Sequence, residues 1–578
     1  MPGWNPLVHQ PPFQAGTMLL LTDGTVLCQD EGPSNGGTPD WWKLTPDAFG
    51  SYVNGTWQQV ASGPNAPLYY ASAILRDGRV FVAGGEYNAG AQVDLLAAEI
   101  YDPVTNAWSN IGTPAGWTNV GDAPCCVLPD GRVLLGSIKD TRTAFYDPVL
   151  NSWTPGPTKA DSSSEETWTL LPDGTVIDAE CSNHPHAEKY LPTTNHWVTA
   201  SSVPSAHDLV QSSVGSTNEI GPAILLPDGR VFAIGASGHT AFYHPPAHPS
   251  QPGSWHPGPD FPKDGSGNVL RAFDAPACLL PSGRVFCVAG SPKADGWAGP
   301  CSFFEFDGTT FHPAASPPTG SVETWQVRML LLPTGEVLFS NGTGDIRVYE
   351  HAGHPEHHWL PRIVHCPTHL RPGHDYTLHG RQINGLSQAN SYGDDASMAT
   401  NYPLVRIRNE HTGHVYYCRT HGFSTMAVAT GMAVHSTRFD VPAGIPLGRY
   451  ELVVIANGIH SEELRVHVTE HVPRERRFEE EEEEEVEVRF AVRMGESSSL
   501  AIDLRSGRAE ELTGRDDDFG RRRREPELRR EAWEDFGRME AREEHRNGHR
   551  EHEEEKELHH PAASKAATRR SHGKHAKA

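Results

Sequence analysis

Residues 72–85 read SAILRDGRVFVAGG: an apolar run, an Asp77-Gly78 turn, then a second run of β-branched and aromatic residues that ends on Gly84-Gly85. Asp-Gly between two such runs supplies the positive φ angles that a tight primed hairpin turn demands. The phrase recurs along the chain. MLLLTDGTVLC surrounds Asp23, CCVLPDGRVLLGS surrounds Asp130, WTLLPDGTVIDAE surrounds Asp173 and AILLPDGRVFAIG surrounds Asp228. ACLLPSGRVFCVAG and MLLLPTGEVLFSNG complete the set around Ser282 and Thr334. Successive turns are 54, 53, 43, 55, 54 and 52 residues apart. At such a period each copy is one supersecondary unit that buries its faces only by stacking on its neighbours.

Two further strands follow most hairpins, as in AEIYDPVT and AWSNIG after Gly84-Gly85, and TAFYDPVL and SWTPGP after the third turn. The Gly pair, the later tyrosine (Tyr101, Tyr146, Tyr243) and the tryptophan beyond it (Trp108, Trp153, Trp255) make up the kelch signature. Seven copies predict an all-β chain whose residues 1–350 form a seven-bladed kelch-type β-propeller, with these aromatics filling the wedges between blades. After Glu350 the repeat stops. Residues 351–468 show alternating runs such as YPLVRIRNE, HVYYCRTH and RYELVVIANGIHSEELRVHV, the pattern of an immunoglobulin-like β-sandwich. Residues 469–578 form a charged low-complexity tail, RERRFEEEEEEEVEVRF through EHEEEKELHH, for which disorder is the expectation. Within it, residues 486–513 carry a weak alternation suited to a hairpin, and residues 525–558 suit a charged helix held by i,i+4 pairs.

The formal charge of −25 is uneven: residues 1–350 hold 34 acids against 15 bases, whereas residues 351–468 are balanced. An acidic propeller disfavours nucleic acid and anionic lipid as partners and favours cations, polar small molecules such as carbohydrates, or protein. No apolar run reaches the roughly 20 residues of a membrane span, and MPGWNPLVHQPPF has no basic then apolar leader, so the default expectation is a cytoplasmic protein. The nine cysteines are odd in number and sit mostly in strand-like runs, which predicts buried free thiols. The histidines His351, His354, His357, His358, His365 and His369 match no metal-binding spacing and read as surface residues. Asn54 and Asn341 open Asn-Gly-Thr acceptors that matter only in an exported chain.

Over residues 1–468 the sequence resembles the galactose oxidase and glyoxal oxidase group: the propeller repeat by repeat, and VVIANGIHSEELRVHV at the end of that group's C-terminal early-set domain. The resemblance implies a copper ion on the propeller axis, held by two tyrosines and two histidines, with one tyrosine cross-linked to a cysteine. YYASAILRDGRVF places Tyr69 at the cross-linked tyrosine, and Tyr87 falls on the aromatic that stacks over the cross-link. The segment before MLLL, FQAGT, has no cysteine to complete the thioether. ETWQVRMLLLPTGEV carries Trp325 and Gln326 where the group has its Tyr-His pair. His421, in RTHGFSTMAVATG, matches the histidine delivered by the C-terminal domain. Tyr69 and His421 are therefore the candidate catalytic and metal residues, and the departures disfavour copper. GDD at residues 393–395 resembles a loop of bacterial kelch proteins and reads as a loop or edge-strand feature.

Aligning the seven copies brings other residues together. Eight or nine residues before each turn, where the innermost strand begins, stand Tyr69, Asp122, Glu165, Glu219, Asp274 and Gln326, with Glu166 beside Glu165 and Glu323 slightly upstream of Gln326. These acids are expected to converge at one mouth of the central channel, where mutual repulsion raises pKa values unless a cation or a donor-rich ligand neutralises them. Oxygen donors alone suit Ca²⁺ or Mg²⁺, and carboxylates also accept hydrogen bonds from sugar hydroxyls. Three functions stay open on this pattern: a protein without the intact copper-radical site that binds a carbohydrate or divalent cation at this mouth, a copper or other metal-dependent oxidase with rearranged ligands, and a kelch scaffold for protein partners.

Overall fold

The computed structural model describes residues 3–33, 36–211, 219–294, 296–318, 322–392 and 398–470, together with three strands at Arg489–Arg493, Ser499–Asp503 and Ala509–Leu512. Each of the seven phrases folds as the two inner strands of an antiparallel sheet. In the second blade the order outward is Ala71–Ile74, Val80–Ala83, Ala98–Asp102, Ala107–Asn110. The innermost strands are Ala15–Leu20, Ala71–Ile74, Cys125–Val127, Thr167–Leu170, Ala223–Leu225, Pro276–Leu279 and Arg328–Leu331. From the second blade to the seventh each packs on the next, and the seventh packs on the first. Their residues are buried throughout, because neighbouring blades cover both faces of each sheet. Outer strands such as Ala107–Asn110 are largely exposed to solvent.

The ring is closed by the N-terminus. Gly3–Pro6 pairs with Arg347–Glu350 as the outermost strand of the seventh blade. The Trp4 ring lies 5.0 Å from both Phe339 and Tyr349 and 5.5 Å from Phe303, and its Nε1 donates to the Ala315 carbonyl at 2.6 Å. Trp4→Ala is expected to lower stability by about 2 kcal/mol through lost burial and the cavity left behind. The urea unfolding midpoint measures this, and a change below about 0.5 kcal/mol would mean that closure does not depend on this strand.

The signature aromatics join blades as expected, through contacts that the repeat alone does not display. Tyr101 and Trp108, Tyr146 and Trp153, and Tyr243 and Trp255 pack at a tilt with centroids 5.1–5.2 Å apart. Trp108 and Trp153 donate their Nε1–H to the preceding blade, at the Ala61 and Ile111 carbonyls. The Tyr101 and Tyr146 hydroxyls donate to Asn106 and Asn151, turn residues with φ of 51° and 48°. Asparagine tolerates that left-handed backbone better than most side chains, so it is both turn former and acceptor. All nine cysteines are buried and free.

Between Arg362 and Val468 the chain forms a nine-stranded sheet around its own core of Leu378, Val405, Ile407, Cys418, Phe439, Leu452, Val454 and Val466. Its pairings are antiparallel except that of His369–Leu370 with Leu464–Val468. Two features tie this sheet to the propeller. Strand Val415–His421 docks on the face that bears the hairpin turns: the Thr420 amide donates to the Thr22 carbonyl at 3.0 Å, and Arg419 donates to the Asp77 carbonyl at 2.8 Å. Strand Asn390–Tyr392 adds to the inner edge of the sixth blade, with Asn390 opposite Cys278 and Tyr392 opposite Pro276. The chain thus enters the channel from the turn side and runs toward the opposite mouth. The residues that follow, including GDD, lie outside the described residues.

Met1–Pro473 make up one compact unit and Arg474–Ala578 another. In the second unit the three strands pair antiparallel in sequence order, inside the stretch whose alternation suggested a hairpin. The expected disorder of the tail and the helix over residues 525–558 fall outside the described residues. Asn341 is 1% exposed, so its acceptor motif is closed to a glycan.

Candidate functional site at the propeller mouth

The innermost strand of each blade runs from the channel mouth to the hairpin turn, which puts the residues just before it on the axis. Three of them hold left-handed backbone without being glycine: Tyr69 at φ 55°, Glu165 at 54° and Asp274 at 43°. Gly121, beside Asp122, takes the same conformation at 69°. Such backbone is uncommon for residues with a Cβ and persists where the surroundings fix it. Here the mouth loops are bonded to one another. The Gly85 amide donates to the Gly121 carbonyl at 2.7 Å, the Asp274 amide to the Ile220 carbonyl at 3.1 Å, and the Cys181 thiol to the Glu165 carbonyl at 2.7 Å.

The acids act on one another electrically. Burial first, then the charges of Asp274 and Glu86, push Glu165 up to about 7. Burial and Glu86 also push Asp274 up to about 7, against the opposing pull of the Arg328 guanidinium. Glu219 is raised well above the usual carboxylate range by burial and by Asp274, Glu165, Asp122 and Glu86. Its Oε2 is buried without a hydrogen-bond partner. Glu86 was absent from the sequence-aligned set. It sits next to Tyr87 in GGEY, after the second strand of its blade, so an alignment on first strands passes it by.

Aromatic rings border these acids. Tyr69 lies 6.1 Å from Tyr87 and 6.4 Å from Trp325, both edge-on, and Trp325 continues to Trp297 at 5.8 Å. The Arg328 guanidinium sits 5.8 Å from the Tyr69 centroid. All four rings are half-buried. The mouth therefore combines carboxyl groups poised near neutrality with amphipathic aromatic edges.

Four residues expected at the mouth are placed elsewhere or otherwise occupied. Glu166 has no exposed surface and is ion-paired with Lys159 inside the fourth blade, away from the channel axis. Glu323 is paired with Lys293 and accepts from Trp325 Nε1 at 2.5 Å. Gln326 returns its side chain to the Glu323 amide at 3.0 Å in a capping box. His421 is on the turn face, its Nε2 3.1 Å from Asp440 Oδ1, two residues from the docking of Arg419 on Asp77. Tyr69 is at the far end of the strand leading to that same Asp77 turn, roughly 20 Å away at 3.3 Å per residue. Tyr69 and His421 cannot share a metal ion.

The copper set implied by the resemblance needs phenolate and imidazole donors around one ion. Tyr69 supplies one, and its ring neighbours are Tyr87, Trp325 and Arg328. These residues do not fit a four-donor copper centre. Among the described residues, trios with donor atoms within 4.8 Å of one another form at His207, His239 and Asp260 and at Asp161, Glu180 and Glu188, and neither includes a mouth acid.

No family model matches the chain. Galactose oxidase of Gibberella zeae is 26% identical over 289 residues, which span 46% of this chain and 40% of that protein. Over those residues the chain is similar to galactose oxidase. N-acetylneuraminate epimerase of Yersinia pestis is 30% identical to this chain over 131 residues, 22% of this chain and 31% of the epimerase. The chain thus matches less than half the length of either relative. A solved structure described as a fungal alcohol oxidase of the AA5 family in complex with copper covers 81% of this chain at 15% identity, with a TM-score of 0.47.

Proposed function

We propose that this protein binds a hydroxyl-rich ligand, a carbohydrate, at the propeller mouth, without copper-radical chemistry. The observation that carries the reading is the ring of Glu86, Asp122, Glu165, Glu219 and Asp274, with an unpartnered buried oxygen on Glu219 and aromatic edges from Tyr69, Tyr87 and Trp325. Carboxyl groups titrating near 7 both donate and accept hydrogen bonds at neutral pH, which matches a polyol. Aromatic rings suit the apolar faces of sugar rings, as concave sites combine apolar walls with a few placed polar groups. The names of both relatives point the same way, since galactose and N-acetylneuraminate are sugars.

Calorimetric titration of the full chain with galactose, N-acetylneuraminate and glucose tests the proposal. At least one sugar is expected to bind saturably, with affinity falling tenfold or more in Glu219→Gln/Asp274→Asn and in Tyr69→Ala. Absence of heat for all three sugars and for mixed oligosaccharides would overturn it. With copper supplied, no hydrogen peroxide is expected from galactose; sustained release would restore the oxidase reading.

A further inference from the structure

Radially outward from Glu165, the fourth blade buries a second acid cluster that the mouth does not use. Lys159 is fully buried, ion-paired with Glu166 and Asp178, 3.8 Å from Glu188 and 4.8 Å from the Trp197 ring centroid. Glu180 and Asp161 complete the group, so one ammonium stands among five carboxyl groups. Glu166 and Asp178 take up the Lys159 charge. The remaining three, Asp161, Glu180 and Glu188, each place an oxygen within 4.8 Å of the others. Two oxygens bound to one Ca²⁺ at about 2.4 Å are at most about 4.8 Å apart, so the trio spans one ion.

The donor atoms point to a missing partner. Glu180 is 3% exposed and its Oε2 has no hydrogen-bond partner, and both Asp161 carboxylate oxygens are buried and unpartnered. Glu188 accepts from the Ala160 amide at 2.9 and 3.1 Å, which fixes it beside Asp161. Burial first, then the charge of Asp178, push Glu180 up to about 9 against the opposing pull of Lys159. Buried carboxylates left in this state are costly unless paired or coordinated.

We propose that Asp161, Glu180 and Glu188 bind a hard divalent cation of the calcium class, which fixes the loop of residues 160–166. The donors are all oxygen, without imidazole or thiolate, so zinc and copper are disfavoured. Their irregular arrangement suits Ca²⁺, which accepts flexible coordination completed by water, better than Mg²⁺, which demands a near-ideal octahedron. The ion would act on the mouth through short links: Glu165 lies within the 160–166 loop, and Cys181, next to Glu180, donates to the Glu165 carbonyl.

Terbium luminescence excited through tryptophan, with Trp168 and Trp197 beside the cluster, tests this on the full chain. The expected result is one tightly bound equivalent of Tb³⁺, displaced by Ca²⁺, lost in Asp161→Asn/Glu180→Gln and retained in Asp274→Asn. Comparison with the double variant separates the site from the acid run at Glu479–Glu485. In parallel, chelation is expected to lower the thermal midpoint of the wild type and leave that of the double variant unmoved. Equal terbium signals in wild type and double variant, or a wild type indifferent to chelation and to Ca²⁺, would overturn the proposal and mean that Glu180 is held as a neutral acid. Should the double variant fail to fold, Glu180→Asp decides: an affinity for Ca²⁺ at least tenfold weaker supports the site, and an unchanged one refutes it.

Discussion

Lys159→Met is expected to destabilise the protein by about 3 to 5 kcal/mol at pH 7.5, the cost of removing one partner from a buried ion-pair group. Lys159 has no exposed side-chain surface and stabilises Glu166 and Asp178 directly, so its loss leaves carboxylates with neither solvent nor counter-charge. The deficit is expected to depend on pH with a definite sign. Burial already raises Glu166 to about 8 and Asp178 above its usual range, and Lys159 is the largest factor lowering both. Without it both rise further and take up protons in the folded state. A folded-state pKa above the unfolded one contributes stability that is present at low pH and lost as pH rises through the folded value. The variant should therefore approach the wild type near pH 5 and fall away from it by pH 8. Urea midpoints at the two pH values measure this, and a uniform loss below about 1 kcal/mol would contradict the buried-network account.

The second large effect concerns the mouth. Glu165→Gln/Asp274→Asn is expected to raise stability at pH 8 by about 3 kcal/mol while abolishing ligand binding. Each acid is pushed up to about 7 from an ordinary value near 4, and every tenfold change in proton affinity corresponds to about 1.4 kcal/mol. The two act on each other, so their contributions do not add. Since both folded values are raised, wild-type stability from these groups is fully present below about pH 4 and is lost as pH rises through 7. The amide variant should be flat over the same window. Thermal midpoints at pH 5 and pH 8 provide the comparison; equal slopes for the two proteins would mean that the acids are solvated. A stabilising substitution that removes function marks a site kept at the expense of the fold.

The ring of blades was legible because its signal is repeated: seven Asp-Gly or equivalent turns, each between apolar runs, fix strand direction and hence which residues begin the inner strands. The convergence of Tyr69, Asp122, Glu165, Glu219 and Asp274 follows from that register alone. Glu166 was misplaced because an alignment by turn cannot tell neighbours apart, and the left-handed backbone at Glu165 that lies between the two acids carries no sequence signal. The site of His421 was not legible. Its local phrase matches a relative's loop, but the face on which the C-terminal sheet docks depends on contacts such as Arg419 with Asp77 and Thr420 with Thr22, distant in sequence. The strand that does enter the channel, Asn390–Tyr392, is three residues long and carries no periodic signal. Lys159 had no motif either; it is one of only 15 basic residues among 34 acids in the propeller, and its importance comes from where blades three and four meet.

The most direct test of the mouth account is a carbon-13 NMR titration of side-chain carboxyl groups, assigned with Glu165→Gln, Glu219→Gln and Asp274→Asn. At least two carboxyl groups should titrate near pH 7 and shift when a bound sugar is added. Carboxyl groups at these three positions that all titrate below pH 5 would contradict it.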